Sequence, residues 1–401
     1  ACRAGVKGRE ALALLLSIRM SAEQDDVVKL VVGSVRYSSS LGTLRRAGQS
    51  MLARMFGEPW LSLLKRSNDE VVIDRDGEAF RVVLSHLESG MDSVATMEEL
   101  RFLSPAGQRT AIAELDYYML TSEDEHDDAP LVQRGPEMVH GRRRFAAVRI
   151  DKKVVVLGGC GESGVLDSVE YLASSFSRAP IKMMSRRMGH AAVRIDDRRV
   201  LIVGGHDGRQ YLKSTELLDV ATWTTTPGPD LFEERCDCAA VMLTKSVVMV
   251  LGGRNERSLG LATTELLDLS SLKREMGPRM TSKRFGCSAL LLNAERLLVI
   301  GGWDKGTTEE LDLTTMRFRP GLFHGHARCG STAVVLDLSR VLLLTTRCDR
   351  SPRADPAIVE VLETSDDTVM MKPQHLNDVR EGCVALLLEP SKILILGGGD
   401  A

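Results

Sequence analysis

Residues 26–120 predict a mixed α/β domain, and residues 141–401 predict an all-β repeat domain. Three observations carry this division. First, a glycine pair follows a short apolar run at Gly158-Gly159, Gly204-Gly205, Gly252-Gly253, Gly301-Gly302 and Gly397-Gly398, and Thr345-Thr346 takes the same place after Val341 to Leu344. The spacing of 44 to 52 residues is that of sheet-type repeats. Second, no such period exists before residue 120, where short apolar runs alternate with stretches of helical spacing. Third, residues 121–140 form an acidic linker, with the charge run Glu123-Asp124-Glu125-His126-Asp127-Asp128 read as a solvated hinge.

In the first domain, Val27 to Val32 is a continuous apolar run broken by Gly33-Ser34, and Val35 to Ser38 continues it as a hairpin. Ser50 is placed to cap a helix whose face carries Met51, Leu52, Met55 and Phe56. Val71 to Ile73 reads as a third strand and Asp76-Gly77 as a turn. Phe80, Val83, Leu84 and Leu87 then share a helical face, and Gln108 to Leu120 is a last helix. Ahead of these, Ala11 to Ile18 is apolar and follows Arg3, Lys7 and Arg9, but it is short and has no small-x-small cleavage site. Residues 1–25 are therefore read as a disordered leader, from a fragment or from translation ahead of a start at Met20.

In the repeat domain, each period has an apolar strand before the one that ends in glycine, as at Ala191 to Ile195 or Ala289 to Leu292. A third strand centres on Glu170, Glu216, Glu265, Glu310 and Glu360. The run Glu216-Leu217-Leu218-Asp219 recurs as Glu265-Leu266-Leu267-Asp268 and nearly as Glu310-Leu311-Asp312. A fourth strand is clearest at Thr222-Trp223-Thr224, with Phe176, Leu272 or Phe318 in the tryptophan's place elsewhere. Four short strands per period make the blade of a β-propeller, here six-bladed. The sixth blade is incomplete, with strands only at Cys383 to Leu388 and Lys392 to Leu396. Gly135-Pro136 precedes Arg142 as Gly228-Pro229 precedes Arg235 and Gly277-Pro278 precedes Arg284, so Leu131 to Met138 is expected to pair onto the sixth blade and close the ring.

An arginine recurs before the first strand of every repeat: Arg142, Arg187, Arg235, Arg284, Arg328 and Arg380. Each lies 17 residues before its glycine pair or equivalent, 16 in the first repeat. Equal register means equal position around the axis, so the six are expected at one mouth of the channel. Guanidinium forks there suit carboxylate or phosphate oxygens, so the expected ligand is a protein with an acidic segment. The alternative is that each arginine is structural and bonds carbonyls or glutamates of the neighbouring blade, such as Glu216, Glu265 or Glu310.

Composition narrows the function classes. The net charge of −3 and an aromatic share of 4% argue against a nucleic-acid partner. No apolar run reaches membrane-spanning length. Eight cysteines without a C-x-x-C pair or a glycosylation sequon fit a reducing compartment, the cytoplasm or the nucleus. No phosphate loop, zinc-protease or nucleophile-elbow motif occurs. Asp74 and Asp76 share a turn, Cys236 and Cys238 share a strand face, and the pairs His190/His206 and His324/His326 come with no nucleophile. The chain reads as a non-enzymatic binding protein with no metal and no cofactor.

The first domain resembles the BTB domain of the potassium-channel tetramerisation type. The residues that carry this are Leu30-Val31-Val32-Gly33 with Tyr37, Thr43-Leu44-Arg45, Ser50-Met51-Leu52 with Met55-Phe56, the Ile73-Asp74-Arg75-Asp76-Gly77 segment with Phe80, and Glu114, Asp116, Tyr117, Tyr118 and Leu120. Val32-Gly33-Ser34 departs from that family's opening turn, and no cysteine–histidine cluster stands where some relatives hold zinc. The glycine pairs, the following glutamates and Trp223 resemble kelch repeats. The resemblance to BTB–kelch proteins implies self-assembly through the BTB domain, as rings of four or five, and capture of a target by the propeller. It also implies recruitment of a cullin scaffold of the ubiquitin system, with Met55 and Phe56 as contacts. The alternative it leaves is an oligomeric kelch scaffold with no ubiquitin role; the linker of about 20 residues lacks the long helical segment of classical BTB–kelch adaptors, though channel-tetramerisation relatives bind cullin without it.

Overall fold

The computed structural model describes residues 27–47, 50–56, 66–67, 70–118, 135–150, 152–302, 307–323, 330, 332–337, 340–345, 357–364, 374–376, 382–389 and 392–397. The chain divides into two compact units, Ala1–Pro130 and Leu131–Ala401.

The first unit builds on a four-stranded sheet. Val27–Val32 pairs antiparallel with Val35–Ser40 on one side and parallel with Glu70–Ile73 on the other, and Arg66–Ser67 adds an edge. The hairpin turn needs Gly33: its φ is +55°, and a Cβ there would lie 2.7 Å from the Arg75 carbonyl oxygen. The expected turn at Asp76-Gly77 is the start of a helix, Gly77–Glu88. Asp76 caps it by accepting from the Ala79 N–H at 2.9 Å. Gly77 is required there because a Cβ would meet the Val32 carbonyl oxygen at 2.3 Å. Phe80, Val83, Leu84 and Leu87 of that helix are buried, as their spacing predicts. Phe80 stacks between Tyr37 and Tyr118, with ring centroids 5.7 and 5.5 Å away. Ser50 caps Met51–Met55 through the Ala53 N–H at 3.1 Å. The closing helix spans Pro105–Tyr117, and the sequence reading omitted the helix Ser93–Leu100, which Asp92 caps.

The second unit is a ring of antiparallel sheets. The first blade consists of Ala146–Ile150, Lys153–Leu157, Ser168–Leu172 and Phe176–Lys182. The second is Ala191–Arg194, Arg199–Val203, Thr215–Asp219 and Thr224–Pro227, and the third Ala239–Met242, Val247–Leu251, Thr264–Asp268 and Lys273–Met276. The fourth runs Cys287–Asn293, Arg296–Gly301, Thr307–Asp312 and Arg317–Phe323. The fifth has the same four-stranded order, from Thr332–Val335 to Gln374–Leu376. Among the described residues the sixth has two strands, Val384–Glu389 and Lys392–Leu396. Each inner strand packs against the inner strand of the next blade, and the sixth against the first, so the ring closes. The second strands are buried on both faces; Val200, Leu201, Ile202 and Val203 are fully excluded from solvent.

The segment expected to close the ring is described only in part. Residues 131–134 lie outside the described residues, and residues 135–138 form no strand on the two-stranded sixth sheet. Met138 instead packs into the apolar seam between first and sixth blades, beside Phe145, Leu394 and Leu396. Side-chain packing, not strand pairing, joins the described part of this segment to the ring. Trp223 also departs from expectation: it sits in the turn before the outer strand with φ +53°, and Leu272 and Met316 adopt the same backbone in the next blades. Met316, not Phe318, therefore holds that place in the fourth blade.

Candidate functional site

The recurring arginines organise the propeller's interior. In the second blade the Arg187 Nε donates to Glu216 at 2.8 Å, and its Nη1 donates to the carbonyls of Gly204 at 2.7 Å and Ser214 at 2.9 Å. Its Nη2 reaches the Ser214 hydroxyl at 2.8 Å. Arg235 repeats this set with Glu265, Gly252 and Thr263, and Arg284 with Glu309, Gly301 and Thr307. Arg142 pairs with Glu170 and bonds Gly158 and Ser168. The backbone carbonyls of Arg187, Arg235 and Arg284 in turn accept the N–H of Gly159, Gly205 and Gly253 in the preceding blades, at 2.8, 2.7 and 2.8 Å. Each of these arginines thus ties its own blade to the one before it. The glycine pair is required at this seam, since a Cβ on Gly204 would lie 2.3 Å from the Arg235 carbonyl oxygen.

The sequence placed these arginines at the channel mouth facing a ligand. In the structure Arg142, Arg187, Arg235 and Arg284 are buried, with their guanidinium groups engaged inside the blades, so none of the four offers an open fork to a ligand. The reason is local: a Ser or Thr two residues before the glutamate, at Ser168, Ser214, Thr263 and Thr307, completes a polar pocket for each cation within its own blade. Arg328 and Arg380 lie outside the described residues, as do the loop Arg347 to Pro356 and the acidic run of the linker. The partner glutamate of the fourth blade is Glu309, one residue before the Glu310 that the sequence alignment chose; Glu310 pairs with Arg296 and Arg319.

The side chains that do stand at the mouth occupy the position two residues after each frame arginine. Gly189 donates to the Arg144 carbonyl at 2.8 Å, Asp237 to Gly189 at 2.6 Å, Gly286 to Asp237 at 2.7 Å and Gly330 to Gly286 at 2.9 Å. These backbone bonds run from blade to blade around the axis. Every residue here has positive φ: 53° at Arg144, 60° at Gly189, 56° at Asp237, 63° at Gly286, 81° at Gly330 and 70° at Gly382. Only Arg144 and Asp237 carry side chains there, in a conformation that ordinarily disfavours them. Those side chains meet above Gly189. The Arg144 Nη2 lies 2.8 Å from both Asp237 oxygens, and the Arg254 Nε lies 2.7 Å from Oδ2. The Arg254 guanidinium also sits 5.1 Å over the Phe285 ring. In the second blade His206 and Tyr211 stack edge-on at 4.9 Å. Sequence reasoning missed this triad, although its signal was present: four of the six positions two after the arginine are glycine, and Arg144 and Asp237 are the exceptions.

The free thiols of Cys236, Cys238, Cys287 and Cys383 are buried. Burial pushes Cys236 and Cys238 up to about 12 and Cys287 and Cys383 up to about 11. Among the described residues no cluster of three or more His, Cys, Asp or Glu side chains can hold a metal ion, and no helix is long and apolar enough to cross a membrane. In the first unit Phe56 is fully buried at the end of its helix, whereas Met55 is partly exposed. Phe56 therefore belongs to the core of that domain and presents no ring to a partner in this conformation.

The BTB/POZ domain family matches residues 28–126, and the kelch motif matches residues 187–231, which run from the frame arginine of the second blade to Leu231. A search of curated proteins returns no match to the chain. The chain thus joins a BTB/POZ domain to a kelch propeller, the arrangement of a BTB–kelch protein. BTB domains mediate self-association and kelch domains bind protein targets, so the pair defines a protein-binding adaptor or scaffold.

Proposed function

We propose that the chain assembles through its BTB domain into a ring of four or five copies and captures a protein target on the propeller, delivering it to a cullin scaffold of the ubiquitin system. The observation that carries the capture step is the division of labour among the propeller's charges. The buried arginines and glutamates hold the blades, while Arg144, Asp237 and Arg254 stand partly exposed at the axis. Among the described residues two guanidinium groups share one carboxylate there, an arrangement that suits an acidic segment of the target. Oligomerisation adds avidity, because a second propeller engages its target at a high effective concentration.

Assembly is tested by light scattering of the full chain, where four or five copies are expected and a monomer at micromolar concentration overturns the assembly step. Purified cullin added to the same sample tests recruitment. The burial of Phe56 removes one of the two expected cullin contacts and favours the second reading, an oligomeric kelch scaffold without a ubiquitin role. Absence of a cullin complex, with assembly intact, selects that reading.

A further inference from the structure

The outer strands of the blades are the sheet edges of the propeller, and in the first, second and fourth blades that strand carries a proline. Pro227 and Pro320 stand opposite Glu216 and Glu309, the glutamates that hold the buried arginines, and Pro180 lies within Phe176–Lys182. Proline withholds the N–H that an edge would otherwise offer to another strand. The third blade departs from this. Met276 stands opposite Glu265, and Lys273–Met276 contains no proline. The next residue, Gly277, donates its N–H inward to the Thr264 carbonyl at 2.9 Å, as Gly228 does to Thr215 at 3.0 Å in the second blade. Residues alternate along an antiparallel ladder, so the N–H and C=O groups of Met276 and Arg274 face outward.

The flank of this edge is apolar and open. Leu272 and Met276 are 64% and 54% exposed, and all four residues of Lys273–Met276 are exposed. The Arg274 guanidinium lies 4.5 Å from the Phe232 ring centroid and donates to the Asp230 and Leu231 carbonyls, which sets the half-exposed ring beside the strand. The corresponding seam one blade earlier is filled. Trp223, which has the backbone and place of Leu272, lies 5.3 Å from the Tyr171 ring and with Ala179 and Ile181 covers the core shared by the first two blades. The outer strands Phe176–Lys182 and Thr224–Pro227 pack together there. On the third blade's side the neighbouring outer strand consists of three threonines and Pro227, and Leu272 stays in solvent.

We propose that the outer edge of the third blade receives an extended segment of a protein partner as a fifth strand. The partner segment alternates: apolar side chains lie alongside Leu272, Met276 and Phe232, and on the other face a carboxylate answers Lys273 and a cation answers Glu275. Main-chain bonds to the edge supply affinity, and the alternating side chains supply the choice of partner. This site lies on a different element from Arg144, Asp237 and Arg254, and it adds a second kind of partner to the target held at the mouth.

The test pans a random nine-residue peptide library on the full chain, with soluble Met276→Pro protein as competitor, so that only peptides needing the open edge are kept. Met276→Pro places at this register the residue that the second and fourth blades already carry. Selected peptides, measured by fluorescence anisotropy, should alternate apolar and charged residues. They should bind Met276→Pro about tenfold or more less tightly than the parent, and Leu272→Ser about fivefold less tightly. Met184→Ser, at an exposed apolar residue of another blade, should leave binding unchanged. N-methylation of alternate backbone nitrogens of the peptide should abolish binding. That readout uses the parent protein, so it decides the matter even where Met276→Pro lowers the melting temperature. A library from which no peptide survives the competitor overturns the site. Peptides that tolerate N-methylation at every position bind without forming a strand and overturn the assignment.

Discussion

Arg235 and Glu265 meet 3.0 Å apart with no part of either side chain open to solvent. A buried ion pair compensates its desolvation only where every remaining donor and acceptor is satisfied. Here Arg235 also reaches the carbonyls of Gly252 and Thr263 and the Thr263 hydroxyl, while Glu265 accepts the N–H groups of Phe232 and Glu233. The pair is therefore a structural joint of the blade.

Arg235→Ala is expected to destabilise the propeller by about 3–5 kcal/mol, because it leaves the Glu265 carboxylate buried and unpaired. The double variant Arg235→Met/Glu265→Met should recover much of that loss. Thermal melting of the three proteins checks this. A melting temperature unchanged by Arg235→Ala would return the residue to ligand contact.

Gly189→Ala is expected to disturb the axial triad. A Cβ at Gly189 would stand 2.4 Å from the Asp237 Oδ1 and 2.9 Å from the Arg144 Nη2, on a backbone with φ +60°. The cost should be on the order of 1–3 kcal/mol, with binding of an acidic segment at the mouth weakened in parallel. Unfolding titration and anisotropy on the same preparation check both. The matching change at Gly90, where a Cβ meets nothing within 4 Å at φ +79°, isolates the backbone part of that cost.

Phe56→Ala is expected to unfold or loosen the BTB domain, by about 3–5 kcal/mol for a large aromatic removed from a core. Met55→Ala, at a partly exposed position on the same helix, should be much milder. If a folded Phe56→Ala protein loses cullin binding while keeping its melting temperature and oligomeric state, the residue acts as a contact and its burial is relieved on binding.

These outcomes mark what was legible in the sequence. Repeats expose themselves: the glycine pairs and the Glu-Leu-Leu-Asp run located the blades, because the same seam is rebuilt in each. Asp219, Asp268 and Asp312 end that run since each accepts backbone N–H groups of the following turn. The partners of the arginines were also within reach, because Ser/Thr-x-Glu occurs at 168–170, 214–216, 263–265 and 307–309. What could not be read was the direction of a recurring charge. An arginine at constant register faces either the channel or its own blade, and only the fold shows which. The triad was hidden for the opposite reason: it breaks the repeat, and Arg144 and Asp237 are 93 residues apart in sequence.

His190 supplies a pH dependence whose sign follows from its surroundings. It is buried among the first two blades, where burial pushes the imidazole down to about 3 and the charges of Arg187 and Arg142 push the same way. The ordinary value is 6.5, so the unfolded chain takes up a proton below that pH while the folded protein does not. The folded-state value is depressed, and the stability it supports is present in full above 6.5 and is lost as pH falls toward 3. The slope reaches about 1.4 kcal/mol per pH unit, or roughly 2 kcal/mol between pH 6.5 and pH 5. Carboxylates add their own titration at lower pH, so the comparison is with His190→Asn, which keeps a polar side chain and removes the titrating group. The wild-type propeller should lose stability between pH 7 and pH 5 more steeply than this variant, as measured by urea unfolding at each pH. Equal slopes for the two proteins would show that His190 is protonated in the folded blade, with its charge satisfied there.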